Sequence, residues 1–181
     1  MISLSEPDMD LGEKQTAALR GLIAELDRGI RIVREVNRDA YTAAIKGGGS
    51  AGAHLRHNLD FVNALLNGLA ERRVDYTDRT RDPLVETHRG HAIEEMQFAI
   101  SRLENLTPDI LGRIVMVRSE IDTDVWHTSS VSREIEFVHS HTVHHYAVVA
   151  RLLASAGYDI GTDVGVAPST LRYRSMIGMA A

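Results

Sequence analysis

The most informative part of this sequence is Arg133-Glu-Ile-Glu-Phe-Val-His-Ser-His-Thr-Val-His-His-Tyr-Ala-Val-Val-Ala-Arg-Leu-Leu153, which has the apolar spacing of an amphipathic helix. Four of the nine histidines fall within seven consecutive positions of it. His141 and His145 are four residues apart, so they lie one turn apart on the same helix face. Phe137, Val148 and Leu152 share that face, which predicts that both imidazoles point into a core or a pocket. A buried imidazole needs a partner for each ring nitrogen, and a divalent metal ion supplies one.

Length and composition limit the classes of protein to which this chain can belong. Its 181 residues suit a single domain, 1–181, with a sizeable core. The net charge of -5 argues against nucleic acid as a partner. The chain has no cysteine, which excludes disulfides, thiolate zinc sites and a protein thiol nucleophile. Any metal must therefore be held by histidine and carboxylate.

The sequence shows neither a signal peptide nor a membrane-spanning stretch, and both features bear on the predicted location of the protein in the cell. Residues 1–8 lack the basic start and the apolar run of a signal peptide. No stretch approaches the ~18 consecutive apolar residues of a membrane span. The sequence therefore predicts a cytoplasmic protein without a membrane partner.

Three other stretches have helical spacing, over about 13–45 with a break near 37–39, 51–71 and 83–105. Ser50 and Asp82 are the predicted caps of the second and third helices, and Gly157 ends the fourth. The β-branched residues of 114–121, followed by 125–126, predict a short hairpin between helices three and four. We therefore expect an all-α, antiparallel four-helix bundle over about 13–157, on which the tail 158–181 packs back.

The second predicted helix carries two more histidines, His54 and His57. Two imidazoles from helix four and one from helix two would form a three-histidine site. Such a site leaves coordination positions free for water or substrate, which is the open arrangement of a catalytic metal. The alternative is a set of surface or hydrogen-bonded core histidines, but the paired spacing on an apolar face favours metal.

These motifs, His54-Leu-Arg-His57 and His141-Thr-Val-His-His145, resemble the signature of the DinB-like (damage-inducible) superfamily of metal-binding four-helix bundles. The resemblance implies that His54, His141 and His145 bind the metal, with His57 as the alternative ligand on helix two. His144 is rotated by about 100° from His145 around the helix, and His139 lies on another face, where exposure to solvent is expected.

The resemblance also implies an activity of the thiol-dependent transferase or isomerase kind. In such enzymes an open metal position binds a low-molecular-weight thiol, whose pKa the cation lowers, so that it acts on a small-molecule substrate. Zinc and nickel both suit imidazole ligands. A metal-dependent hydrolase, and a non-catalytic stress-associated protein with a structural metal, are alternatives that the sequence leaves open. A homodimer is compatible with the resemblance, with the hairpin or the tail as its interface.

Glu134 and Arg56 are the candidate catalytic residues. Glu134 lies two turns before His141 on the same face, where it could orient an imidazole, act as a general base or pair with an arginine. Arg79 and Arg81 could bind an anionic substrate, but the surrounding acids favour ion pairs, with Asp82, Glu86 and Glu134 as the partners.

The substrate is expected to enter between helices two and four, past Arg56, Glu134, Tyr146 and the loop with Arg79 and Arg81. Tyr146 and Trp126 also fit a place in the core or at the rim of the site. Residues 48–52 formally match the Gly-x-Ser-x-Gly nucleophile elbow, but that motif requires a preceding strand. Here a helix precedes it, so a helix cap explains Ser50 better.

Overall fold

The computed structural model describes residues 11–45 and 47–178, with side chains from residue 17 onward, and these residues are mostly α-helical. Four helices are long: α1 (Leu11–Glu35), α3 (Ala51–Gly68), α5 (Arg89–Glu104) and α7 (Val131–Ser155). Four are short: α2 (Arg38–Thr42), α4 (Pro83–Thr87), α6 (Pro108–Leu111) and α8 (Pro168–Met176). Three strands complete the described part: β1 (Arg73–Val74), β2 (Ile114–Arg118) and β3 (Trp126–Ser130).

The core lies between the long helices. Both α5 and α7 pack against α1 and against α3. Each helix has apolar residues at three- and four-residue spacing, so it buries one face. The completely enclosed side chains include Leu22 and Leu26 of α1, Leu65 of α3 and Ile135 of α7. Burial of each such side chain stabilises the fold by about 1.5–3 kcal/mol.

The helix boundaries confirm the predicted caps Ser50, Asp82 and Gly157. Ser50 accepts a hydrogen bond from the backbone N–H of Ala53 and so caps α3. Asn37 caps α2 in the same way, which confirms the break predicted after the first helix. Asp82 caps α4, and Gly157, with φ 87°, lies just beyond α7.

The prediction of one continuous helix over 83–105 is wrong. The segment forms α4 and α5, which are separated at His88, where the backbone is extended with φ −123° and ψ 102°. The side chain of Thr87 bonds to the carbonyl of Pro83 and lies 2.9 Å from His88 Nδ1. These local bonds offer the backbone an alternative to the helix at this point.

The predicted hairpin is present, with Met116 opposite Thr128 in an antiparallel pair of β2 and β3. An all-α description is too narrow, however, because β1 adds a parallel strand, pairing Val74 with Val117. The hairpin packs on the core through Val115, which explains how so short a pair is stable. The sheet also fixes the start of the segment 75–82, which runs beside α3.

The tail returns to the helices as predicted. The close contact is at Gly165, with φ 72°, where a Cβ atom would lie 2.2 Å from the backbone nitrogen of Ala147. Only glycine fits this approach. Residues 1–8, which carry the prediction about a signal peptide, and the tail residues 179–181 lie outside the described residues. Among the described helices, none has the length and apolar character needed to cross a bilayer.

Candidate metal centre

Four histidines meet where α3 faces α7. The ring centroids are 4.4 Å apart for His141 and His145, 4.6 Å for His57 and His145, and 5.1 Å for His57 and His141. One ring nitrogen from each of these three residues lies within 4.8 Å of the other two, and all three side chains are half-buried. The structure therefore places His141 and His145, the pair on the predicted fourth helix (α7), next to His57 of the predicted second helix (α3).

His54 takes a different place in the cluster from the one expected of a ligand. Its Nε2 lies 2.7 Å from the carbonyl oxygen of Gly48, and its Nδ1 lies 3.0 Å from His145 Nδ1. Both of its nitrogens therefore have protein partners. His57, the alternative ligand on the predicted second helix (α3), is the residue whose nitrogen converges with those of His141 and His145.

Aromatic rings form one wall of the cluster. The His141 ring stacks on Phe61 with centroids 3.9 Å apart and planes 27° apart. Phe61 stacks in turn on Tyr76, at 5.2 Å and 18°. Next to these rings, the buried Thr142 hydroxyl lies 2.9 Å from Asn58 Oδ1 and links the two helices. The walls thus restrict the orientation of the imidazoles, as a preorganised site requires.

Burial keeps these imidazoles neutral. Burial, together with the smaller effects of the charges of Arg79 and Arg56, lowers the pKa of His57 to about 4. Burial, followed by neighbouring His57, lowers the pKa of His141 to about 4. Burial, followed by His141, lowers the pKa of His145 to about 3. At neutral pH the ring lone pairs are therefore free of protons and open to a cation.

The residues present fit a divalent metal ion. His141 Nδ1 is buried and has no hydrogen-bond partner among the described residues, so it lacks the partner that a buried polar atom requires. Zinc binds imidazole nitrogens at about 2.0–2.1 Å, which places neighbouring ligand atoms about 3–4 Å apart. The observed convergence within 4.8 Å is close to that spacing.

Comparison with protein-family models, with curated proteins and with solved structures gives no match to this chain. The resemblance to the DinB-like superfamily therefore stays a prediction that rests on the histidine motifs. The chemistry of the site has to be argued from its own residues.

The hydrogen bonds of Glu134 are made to hydroxyl groups and not to the clustered imidazoles. It is 6% exposed and accepts hydrogen bonds from the hydroxyls of Tyr76, at 2.9 Å, and Ser129, at 2.6 Å. Among the described residues no arginine forms an ion pair with it. Glu134 thus ties β3 and the segment after β1 to α7, which is a structural task.

Arg56 is engaged within the fold. Its guanidinium pairs with Asp60 at 2.5 Å and with Glu86 at 3.2 Å, so it spans α3 and α4. Tyr146 does not line a cleft between α3 and α7, and the other prediction for it, a place in the core, is confirmed. It is completely buried and faces α1, where a Cβ atom at Gly29 would meet its hydroxyl.

The remaining predicted residues lie around the site. Trp126 lies on the sheet, with the guanidinium of Arg73 3.9 Å from its ring centroid. His144 is exposed. The exposure predicted for His139 is wrong, because its ring packs against α1 at Gly21 and is half-buried.

The ion pairs predicted for Arg79 and Arg81 do not form among the described residues. Their expected partners are bonded elsewhere: Asp82 to His91 at 2.6 Å, Glu86 to Arg56, and Glu134 to two hydroxyls. The Arg79 guanidinium instead lies 4.6 Å from the centroid of Phe61, and its buried Nε has no hydrogen-bond partner in the described part of the chain. Arg79 also borders a groove of about 530 Å³, but none of the four clustered histidines lines that groove.

Sequence reasoning missed Phe61 and Gly48. Phe61 follows His57 by four residues, so helical spacing places the two side chains on one face. That signal was available. The carbonyl of Gly48 leaves no trace in side-chain patterns, because any residue carries one.

Proposed function

We propose that this chain is a divalent-metal-binding protein in which His57, His141 and His145 hold the ion. The observation that carries this proposal is the convergence of three neutral, half-buried imidazoles from two facing helices. The Nδ1 atom of His141 adds support, because it is buried, has no hydrogen-bond partner among the described residues, and would gain one in a metal ion. In this proposal the four long helices are the bundle of a DinB-like protein.

We further propose that the centre is catalytic, of the thiol-dependent transferase or isomerase kind. Three protein ligands leave a coordination position open, and the half-burial of the imidazoles is compatible with access from solvent. A bound zinc or nickel ion would supply a positive charge that lowers the pKa of a thiol or a water molecule. Because the chain has no cysteine, such a thiol would have to come from a small molecule.

Within this proposal the protein residues have distinct tasks. The three imidazoles hold the ion, and the stack of Phe61 on His141 keeps one of them in orientation. Arg79 adds a positive charge at the edge of the site, where it can attract an anionic thiolate or substrate.

The test begins with metal binding. We expect metal-depleted protein to bind Zn²⁺ or Ni²⁺ in a one-to-one ratio, measured by isothermal titration calorimetry and elemental analysis. His57→Ala, His141→Ala and His145→Ala should each weaken binding by about 100-fold or more, since each removes a ligand. His127→Ala is the matched control, because His127 is exposed on β3, and it should bind normally. Undiminished metal content in the three ligand variants contradicts the proposal.

Exogenous ligands then distinguish an open centre from a structural ion. The Co²⁺-loaded protein should change its visible spectrum on addition of a small thiol, and a thiolate-to-metal charge-transfer band should develop. A response to azide but not to thiols would favour the hydrolase alternative instead. A spectrum that responds to neither would support a structural ion.

A further inference from the structure

The carbonyl of Gly48, the ring of His54 and the ring of His145 form a continuous hydrogen-bonded series. His54 Nε2 lies 2.7 Å from Gly48 O, and His54 Nδ1 lies 3.0 Å from His145 Nδ1. Both distances are within the ordinary hydrogen-bond range. The two imidazole rings come from different helices, so the series crosses from α3 to α7.

The positions of the protons in this series follow from the chemistry of the partners. A carbonyl oxygen only accepts, so His54 Nε2 must carry a proton. In the neutral form of the His54 ring the other nitrogen, Nδ1, is then the acceptor. The donor to it must be His145 Nδ1–H. This leaves Nε2 of His145 as the nitrogen with a free lone pair.

The loop before α3 is built to present the Gly48 carbonyl. Gly47 and Gly49 have φ values of 79° and 73°, which glycine adopts without strain. The Gly48 N–H donates to Ile45 O, and the Ile45 N–H donates to Gly49 O, both at 3.1 Å. The loop ends at Ser50, the cap of α3, four residues before His54. The Gly48 carbonyl thus lies just before the cap of α3, and the His54 imidazole lies in the first turn of that helix.

We propose that His54 is a positioning residue, not a ligand: with the Gly48 carbonyl it fixes the Nδ1–H form of His145 and presents His145 Nε2 to the metal. This inference rests on the proposed metal centre of His57, His141 and His145. Metal-binding histidines commonly donate their other ring N–H to a carbonyl or carboxylate, and here a second imidazole accepts it. The helix-two motif His-Leu-Arg-His would thus supply a support and a ligand from one face of α3.

The proton positions can be tested without any metal. We expect long-range ¹H–¹⁵N correlations of the histidine rings in metal-free protein to place the proton on Nε2 of His54 and on Nδ1 of His145. His54→Ala removes the acceptor, so His145 should become a mixture of both forms. His54→Asn is the matched variant, because its Oδ1 can accept in place of Nδ1, and it should retain the Nδ1–H form. A wild-type His145 with its proton on Nε2 overturns the inference.

Metal titration separates support from ligation. We expect His54→Ala to bind Co²⁺ about 10–100-fold more weakly with an unchanged visible spectrum, because the ligand set is intact. His54→Asn should recover most of that affinity, whereas His57→Ala should change the spectrum. If His54→Ala alters the spectrum as His57→Ala does, or binds Co²⁺ as tightly as the wild type, the inference is wrong. Wild-type protein that binds no cation would overturn the metal centre, while the proton positions would still decide whether His54 orients His145.

Discussion

At the scale of single residues, the neutral imidazoles of the centre make the fold sensitive to acid. His57, His141 and His145 have pKa values of about 4, about 4 and about 3 in the folded protein. In the unfolded chain each titrates near its ordinary value of ~6.5. At a pH between the folded and unfolded pKa values, these histidines bind protons in the unfolded chain but stay neutral in the folded protein, so acid favours unfolding.

We therefore predict that the free energy of unfolding of metal-free protein falls as the pH drops from about 6.5 towards 4. Above pH ~6.5 these three residues contribute no slope, because both states are neutral there. Urea unfolding at a series of pH values measures the effect. His145→Asn should reduce the slope in this window. A variant with the full wild-type slope would show that these imidazoles are not the cause.

Part of the histidine site could be predicted from the spacing of single residues in the sequence. The four-residue spacing of His141 and His145 predicted their shared face, and helical spacing also placed His54 and His57 on α3. The choice between His54 and His57 depended on the small rotation that separates residues three apart, and on a backbone carbonyl in the preceding loop. Neither is visible in residue types, so the resemblance named His54 as the ligand and His57 as the alternative, whereas in the structure the nitrogen of His57 converges with those of His141 and His145.

At the scale of elements, the segment after β1 brings the positive charge of Arg79 to the site, and no carboxylate of the described ranges, 11–45 and 47–178, forms an ion pair with it. Arg79 lies on Phe61, and its charge is the next largest cause, after burial, of the low pKa of His57. A positive charge near the imidazoles disfavours any cation but favours an anion.

We predict that Arg79→Gln binds Zn²⁺ about two- to ten-fold more tightly, because a repulsive charge is removed. The same change should weaken the binding of a small thiolate to the Co²⁺-loaded protein. Calorimetry and the charge-transfer band measure the two effects. Arg81→Gln is the control, because Arg81 is exposed, and its effects should be smaller. Weaker cation binding in Arg79→Gln would contradict this electrostatic account.

A second element-scale prediction concerns the junction of the sheet with α7. Glu134 is buried and joins Tyr76 and Ser129 through its two oxygens. We predict that Glu134→Ala lowers the free energy of unfolding by about 1–3 kcal/mol, because the hydroxyls lose their acceptor, and leaves metal affinity unchanged. Glu136→Ala, at an exposed position of α7, should be nearly neutral. A loss of metal affinity at full stability would return Glu134 to a role at the metal centre.

The predictability of the elements followed their periodicity. The long helices have continuous apolar stripes, so their positions were clear in the sequence. The separation of α4 from α5 depends on the backbone of His88, where the helical pattern itself continues. The two-residue strand β1 is too short to show alternation, and a partner distant in sequence determines its pairing.

At the scale of the whole molecule, the proposed metal centre borders an apolar core that extends well beyond it. The buried side chains of α1 and α5 lie outside the histidine cluster. We therefore predict that metal removal lowers the melting temperature but leaves a folded, cooperative protein. At an ion concentration 100 times the dissociation constant, the stabilisation should be about 2.7 kcal/mol. Thermal unfolding followed by circular dichroism, with and without chelator, measures it. Loss of helix on chelation at ambient temperature would indicate a structural ion.

The parallel pairing of β1 with β2 has a consequence for the order of folding. The chain between these strands runs through α4, α5 and α6, so their pairing closes a long loop, whereas the hairpin of β2 and β3 is local. Loop-closure entropy delays such pairing until the intervening helices have docked. We expect the Met116 N–H, which donates to Arg72 O, to become protected from hydrogen exchange later than the amides of α7. Tyr76 and Arg79 follow β1, so the wall around the imidazoles is completed late. Metal uptake would then follow folding, unlike in a zinc finger, whose ion directs the chain into its fold.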